Sequence, residues 1–162
     1  MNDRWKPSVT VAAVIEHEGR YLLVEEETPE GLRLNNPAGH LEVGETPEQG
    51  VVREALEETA RTFVPACVVG LYLSRFQREA TGEDVTYLRL AYGGTAGEAD
   101  PTRPLDHGIV RTLWMTLDEV RASRERHRSS LLLRCIEDHA AGRRLPLDTV
   151  YADPTLLQPE RK

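Results

Sequence analysis

The stretch GHLEVGETPEQGVVREALEE, residues 39–58, decides how this chain is read. It opens on Gly39, passes Glu45, and then carries Arg53, Glu54, Glu57 and Glu58. Thr46-Pro47-Glu48-Gln49 is a capping box with Pro47 at the first helical position, so a helix is expected to begin at Thr46. Val51, Val52, Ala55 and Leu56 supply its buried face, and Pro65 forbids continuation beyond about Phe63. On such a helix Glu54, Glu57 and Glu58 stand at i, i+3 and i+4 and share one face. Like charges at that spacing repel, and acids in a last turn oppose the helix macrodipole. Acids crowded at the wrong end of a helix imply a cation.

Hard divalent ions such as Mg²⁺ take oxygen ligands, typically one or two carboxylates plus substrate phosphates and water. Several carboxylates on one helix suit such ions. Bound there, the ions neutralise diphosphate oxygens and lower the pKa of a bound water. Gly39 permits dihedrals that turn its backbone carbonyl toward a metal. Arg53 can lock a neighbouring carboxylate through paired hydrogen bonds.

Gly39, five residues to Glu45, seven to Arg53-Glu54, then Glu57-Glu58 is similar to the Nudix box of the Nudix hydrolase superfamily, G-x5-E-x7-R-E-U-x-E-E-x-G-U with U a bulky aliphatic residue. Two positions depart: Ala60 stands in place of the glycine, and Arg61 in place of an aliphatic residue. Either Ala60 takes a left-handed conformation at a cost on the order of 1 kcal/mol, or the helix runs another turn to Phe63. The resemblance extends from Lys6 to about Val150 through KPSVTVAAVI, YLLVEEET, NNPAGHLE and RCIEDHAAGRRLPL, and there looks like the NudJ-type phosphatases. It implies an α/β/α sandwich with a mixed central sheet and hydrolysis of nucleoside di- and triphosphates or hydroxymethylpyrimidine pyrophosphate, with release of phosphate. It also implies Mg²⁺, with Mn²⁺ as a substitute, held by Glu54, Glu57, Glu58 and the Gly39 carbonyl. Arg53, Glu54 and Glu57 are then the catalytic set, and Glu45 supports from the loop. The general base is left open between Glu54 and a downstream loop acid: Glu79, Glu83, Asp84 or Glu98.

The rest of the chain frames this segment. With 162 residues, 40% hydrophobic and 29% charged, it reads as one soluble domain over residues 1–150 with a tail over 151–162. A net charge of −7 argues against nucleic-acid and membrane surfaces, so the expected partner is a small phosphorylated molecule, bound by a monomer or homodimer. No secretory pattern opens the chain and no apolar run nears the ~18 residues that span a bilayer, so the cytoplasm is expected. Cys67 and Cys135 lack metal-ligand spacing and are expected as buried thiols.

Strands are expected at 9–15, 21–25, 67–76, 85–92 and 109–115, and further helices from Thr116, which opens a second capping box, and over 130–141. Residues 33–42 read as irregular, and 93–108 as a long Gly/Pro-rich loop. That order is no regular βαβ alternation, so a mixed sheet with helices on both faces is expected.

Substrate choice lies outside the box. Glu25 and Glu26 end the second strand and either accept hydrogen bonds from an exocyclic amine or form a solvated strand end. Arg89, Arg128 and Arg143 are candidates for phosphate contact, with solvated surface arginines the competing reading. Trp5, Tyr72, Phe76, Tyr87 and Trp114 offer stacking surfaces, with core packing the competing reading. Arg121–Arg128 reads as a solvated loop. Three alternatives compete: a nucleotide-pool pyrophosphohydrolase, an ADP-ribose pyrophosphatase, and a non-catalytic nucleotide sensor.

Overall fold

The structure is a computed structural model that describes residues 4–162. Its frame is a seven-stranded mixed sheet in two wings joined by one hairpin. Strand β1 (Ser8–His17) turns back into β2 (Arg20–Thr28) and pairs with it only at the hairpin end, Glu16 with Tyr21 and His17 with Arg20. From there the wings diverge. One carries β3 (Gly31–Asn35) and β7 (Ile109–Thr116) on either side of β2. The other sets β1 between the short β4 (Ala38–His40) and β6 (Asp84–Ala96), with β5 (Phe63–Gln77) at the edge. The β1–β6 pairing is parallel and the others are antiparallel.

The run VTVAAVI forms a strand with two dry faces. Val11, Ala13 and Ile15 pack with Leu22, Phe63, Val68 and Tyr92 beneath helix α1 (Pro47–Thr59). On the opposite face Val14 packs with Leu131, Leu132, Cys135 and Ile136 of helix α3 (Leu131–Ala140), and Val120 of the short helix α2 (Leu117–Ala122) joins that side. Helices therefore flank both faces, as an α/β/α sandwich requires. Cys67 and Cys135 are buried free thiols.

Several boundaries differ from the sequence reading. Residues 33–42 are largely strand, since the end of β3 and all of β4 fall in them. The loop read as 93–108 begins only after Ala96, because β6 continues through Gly93 and Gly94 opposite β5. Strand β5 starts at Phe63 and carries Pro65 at a register shift. An edge strand tolerates a proline there because no ladder donor is lost on its outer side. Part of that outer edge is covered by Leu145, whose amide and carbonyl bond Val68 at 2.8 and 2.9 Å.

Both capping boxes form. Thr46 and Gln49 exchange side-chain and backbone hydrogen bonds at the start of α1, as do Thr116 and Glu119 at the start of α2. Helix α1 does not run on to Phe63. It stops at Thr59, and Ala60 caps it in the left-handed region at φ 56°, its amide bonded to the Leu56 carbonyl at 2.9 Å. Helix α3 ends as expected before Gly142, at φ 91°.

Candidate active site

Helix α1 places its polar side chains on two adjacent stripes. Gly50, Glu54 and Glu58, spaced by four, lie on the buried side together with Val51 and Ala55. Arg53 and Glu57 form the next stripe outward. Glu54 and Glu58 are therefore carboxylates in core-like positions, with relative exposures of 8% and 7%. Strand β4 lies against this stripe, with Gly39 opposite Val11 of β1.

Gly39 is where the loop and helix meet most closely. A side chain there would overlap the Glu54 carboxylate where it now stands, so glycine is what lets Glu54 hold this position. Gly50 does the same for Glu45: a Cβ would fall 2.9 Å from a Glu45 oxygen.

Arg53 gathers the acids. Its Nε and Nη2 donate to the two oxygens of Glu45 at 3.0 and 2.7 Å, and Nη2 also donates to the His40 carbonyl at 3.0 Å. Nη1 donates to Glu54 at 2.7 Å and to Glu57 at 3.1 Å. The guanidinium bonds hold the Glu45 carboxyl below the usual carboxylate range, aided by the Glu42 amide at 2.8 Å. Glu54 moves the other way: burial raises its pKa and outweighs the help of Arg53.

Glu58 is the more extreme case. Burial pushes it up to about 9, against a single amide donor, Ala38 N at 3.0 Å, with the charges of Glu54, Glu26 and Asp106 adding to the rise. Among the described residues, no three acidic, histidine or cysteine side chains already converge on one point. Arg53 draws Glu54 and Glu57 toward itself, and the Ala38 amide draws Glu58 away. The donor set nevertheless fits a divalent ion: all its donors are oxygens, and burial disfavours the charged forms of Glu54 and Glu58, a cost that a bound cation would offset.

Asp106, absent from the sequence shortlist, joins this cluster. Its amide bonds the Glu57 carbonyl at 2.8 Å, pinning the 97–108 loop to the end of α1, and its charge reaches both Glu54 and Glu58. Together with Glu57, Arg103 and His107 it borders an open depression of about 450 Å³. Nothing in its spacing marks it. The shortlisted Glu83 and Asp84 instead pair with Arg78 and Arg75 on the exposed β5–β6 hairpin, and Glu79 and Glu98 are solvent-exposed.

The acidic end of β2 is not a solvated strand end. Glu25 is 3% exposed and bonded by Arg111 and Arg126, and Glu26 accepts from Arg128 Nη1 at 2.6 Å. Residues 121–128 are mostly solvent-exposed, as read, but they form the end of α2 and a 3-10 turn rather than a loop, and their arginines reach β2. A 3-10 turn (Arg124–Arg126) and the Arg128 amide, bonded to Leu34 O at 2.9 Å, dock this segment onto β2 and β3. Arg89 is no surface arginine: it is 7% exposed and donates to the side-chain oxygens of Asn36 and Asn35 at 3.1 and 3.2 Å. Tyr87 lies between His40 and Phe76, ring centroids 5.8 and 5.6 Å away, whereas Tyr72 is buried and bonds Asp138.

Comparison with known proteins agrees with this geometry. The NUDIX domain family matches residues 4–134. The phosphatase NudJ of Escherichia coli strain K12 is 32% identical over 146 residues, which cover 90% of this chain and 92% of that protein. A solved NUDIX hydrolase from Nitrosomonas europaea is 48% identical at a TM-score of 0.82, covering 91% of this chain and 98% of its own. A MutT NUDIX hydrolase from Burkholderia pseudomallei shares the fold at 21% identity, with a TM-score of 0.67 over 83% of this chain and 98% of its own. A glycine fitted to a helix carboxylate, an arginine gathering three acids, and a match across most of the chain lead to one conclusion: this protein belongs to the Nudix hydrolase family, enzymes that act on phosphoanhydrides.

Proposed function

We propose that this enzyme is a Mg²⁺-dependent phosphatase that removes orthophosphate from nucleoside di- and triphosphates or from hydroxymethylpyrimidine pyrophosphate. The observation that carries the reading is the pair of buried carboxylates on one helix face, Glu54 set against Gly39 and bonded by Arg53, and Glu58 bonded, among the described residues, only by the Ala38 amide. Similarity to the phosphatase NudJ across 90% of the chain supports the choice of orthophosphate as product.

Glu54, Glu57, Glu58 and the Gly39 carbonyl would hold the metal. When bound it supplies charge neutralisation for the diphosphate oxygens and acidifies a water. Arg53 fixes the rotamers of Glu54 and Glu57 through one guanidinium nitrogen, and Glu45 in turn fixes Arg53 from the opposite edge. Asp106 is assigned as the base that accepts the proton of the attacking water. It belongs to the cluster, and among the described residues its carboxylate is bonded only by the adjacent His107 amide, whereas Glu54 is engaged by Arg53.

The test is a substrate panel with Mg²⁺ or Mn²⁺, containing nucleoside di- and triphosphates, ADP-ribose and hydroxymethylpyrimidine pyrophosphate, with orthophosphate and pyrophosphate assayed separately. Orthophosphate without pyrophosphate is expected. Pyrophosphate from triphosphates would make the enzyme a pool pyrophosphohydrolase, turnover confined to ADP-ribose an ADP-ribose pyrophosphatase, and no turnover of any member a sensor.

A further inference from the structure

We propose that Arg89 is a positioning residue that reaches across the sheet to set the loop carrying Gly39, and with it the capacity of the site to hold a divalent ion. The inference rests on the metal-dependent reading above. Arg89 lies on β6, Thr10 is its ladder neighbour on β1, and His40 on β4 is the next residue in the same row. Adjacent strands are about 4.8 Å apart, so a group on β6 must span roughly twice that to act beyond β1. Arginine has that length, and its fork offers two parallel donors. They go to Asn36 and Asn35, consecutive residues at the exit of β3, just before Pro37 and the start of β4.

The environment shows that this is the task of Arg89. Asn36 is 1% exposed and Asn35 8%, so their side-chain oxygens are committed to the interior. Among the described residues, no carboxylate lies within ion-pairing distance of the guanidinium. A buried cation held by neutral groups, the two amides and the neighbouring Cys135 thiol, is an expensive way to stabilise a fold, because no opposite charge offsets its desolvation. Replacing either asparagine by an acid would stabilise the arginine better, but it would add negative charge beside the loop that serves Glu54 and Glu58. Amide oxygens orient the loop without doing so.

What the clamp fixes is short and directly connected. Asn36 is followed by Pro37, whose carbonyl accepts from Ala13 N at 2.8 Å, by Ala38, whose amide holds Glu58 at 3.0 Å, and by Gly39, which faces Glu54. From the other side Arg53 bonds the His40 carbonyl at 3.0 Å. The hexapeptide 35–40 is thus held at one end by Arg89 and at the other by Arg53, and between them lie the Ala38 amide that bonds Glu58 and the Gly39 that faces Glu54. Arg89 itself touches neither the acids nor any reacting atom.

The test compares the unaltered protein with Arg89→Met, Asn36→Ala and the double variant, with Arg89→Lys as the conservative change. Thermal unfolding checks the fold, Mn²⁺ binding is titrated by electron paramagnetic resonance, and kcat and KM are measured at saturating metal. Arg89→Met and Asn36→Ala are each expected to weaken Mn²⁺ binding about tenfold and lower kcat about tenfold, with KM within threefold. The double variant should be no worse than Arg89→Met alone, since both remove one link, and Arg89→Lys should recover part of the loss. Additive losses, unchanged Mn²⁺ binding, or a rise in KM alone would overturn the proposal, the last by making Arg89 a substrate contact. If Arg89→Met does not fold, Asn36→Ala decides by the same Mn²⁺ criterion. Failure of the unaltered protein to bind Mn²⁺ would instead overturn the metal-dependent reading on which the proposal stands.

Discussion

The Glu54 carboxylate rests so closely on Gly39 that a methyl group at that position would overlap both of its oxygens. Gly39 has no unusual φ, so alanine is conformationally acceptable there and its effect acts through Glu54 alone. Gly39→Ala is therefore expected to fold, with an unchanged circular dichroism spectrum, and to lose about 10²–10³ in kcat/KM, the scale of lost transition-state electrostatics. Retention of more than a tenth of the activity would show that Glu54 has no fixed place in the reaction.

Ala60 ends α1 in the left-handed region, where its Cβ is strained. Ala60→Gly should raise stability by about 1 kcal/mol, read as a gain of roughly 2–4 °C in Tm, with kcat unchanged. A drop in Tm would mean that the helix exit tolerates a side chain better than its dihedral indicates.

Glu58 carries the largest conflict between stability and chemistry. Its pKa in the fold, about 9, lies above the ordinary 4.5. The stability it contributes is full below the ordinary value and is lost as pH rises toward 9. Glu58→Gln keeps an acceptor for the Ala38 amide and cannot ionise. In the presence of a chelator it should melt above the unaltered protein, by a margin that widens from pH 5 to pH 8, while turnover falls by about 10²–10³. A constant margin would remove ionisation as the cause.

His139 sets an acid limit. Its Nδ1 lies 3.1 Å from the Tyr21 hydroxyl, and burial pushes its pKa down to about 4 from the ordinary 6.5. Here the fold favours the neutral ring, so the stability from His139 is present above pH 6.5 and is lost as pH falls toward 4. The Tm of the unaltered protein should decline through that window, and His139→Gln should flatten the decline even if its plateau is lower. Parallel profiles would place the acid sensitivity elsewhere.

Asp106→Asn keeps the backbone bond to Glu57 and removes only the basic oxygen. A general base contributes about 10²–10⁴, so kcat should fall by at least about a hundredfold with KM little changed. A loss confined to KM would assign Asp106 to substrate binding.

What could be read from the residues was what lies close in sequence. The i, i+3, i+4 acids, the Thr46 capping box and the apolar run of β1 all express a helical or strand period, and each is found in place. The helix exit is ambiguous in sequence because Ala60 permits continuation by propensity, whereas in the fold it takes the left-handed cap and β5 begins three residues later. Contacts made across the sheet escaped. Asp106 reaches the cluster from the loop after β6, Arg126 and Arg128 cross about a hundred residues to Glu25 and Glu26, and Arg89 meets asparagines more than fifty positions away. A charge has no period, so its partner is set by topology.

The bonds that hold the carboxylates bear on how the enzyme is switched. Glu45, Glu54 and Glu57 are fastened to Arg53, and Glu58 to a backbone amide, by groups the chain itself supplies. The scaffold around the ligands thus owes its shape to the polypeptide, unlike small domains that unravel when stripped of their metal. On the metal-dependent reading proposed above, a swing in free divalent ion would act as a dimmer: catalysis would rise and fall with the supply, while the chain stays folded.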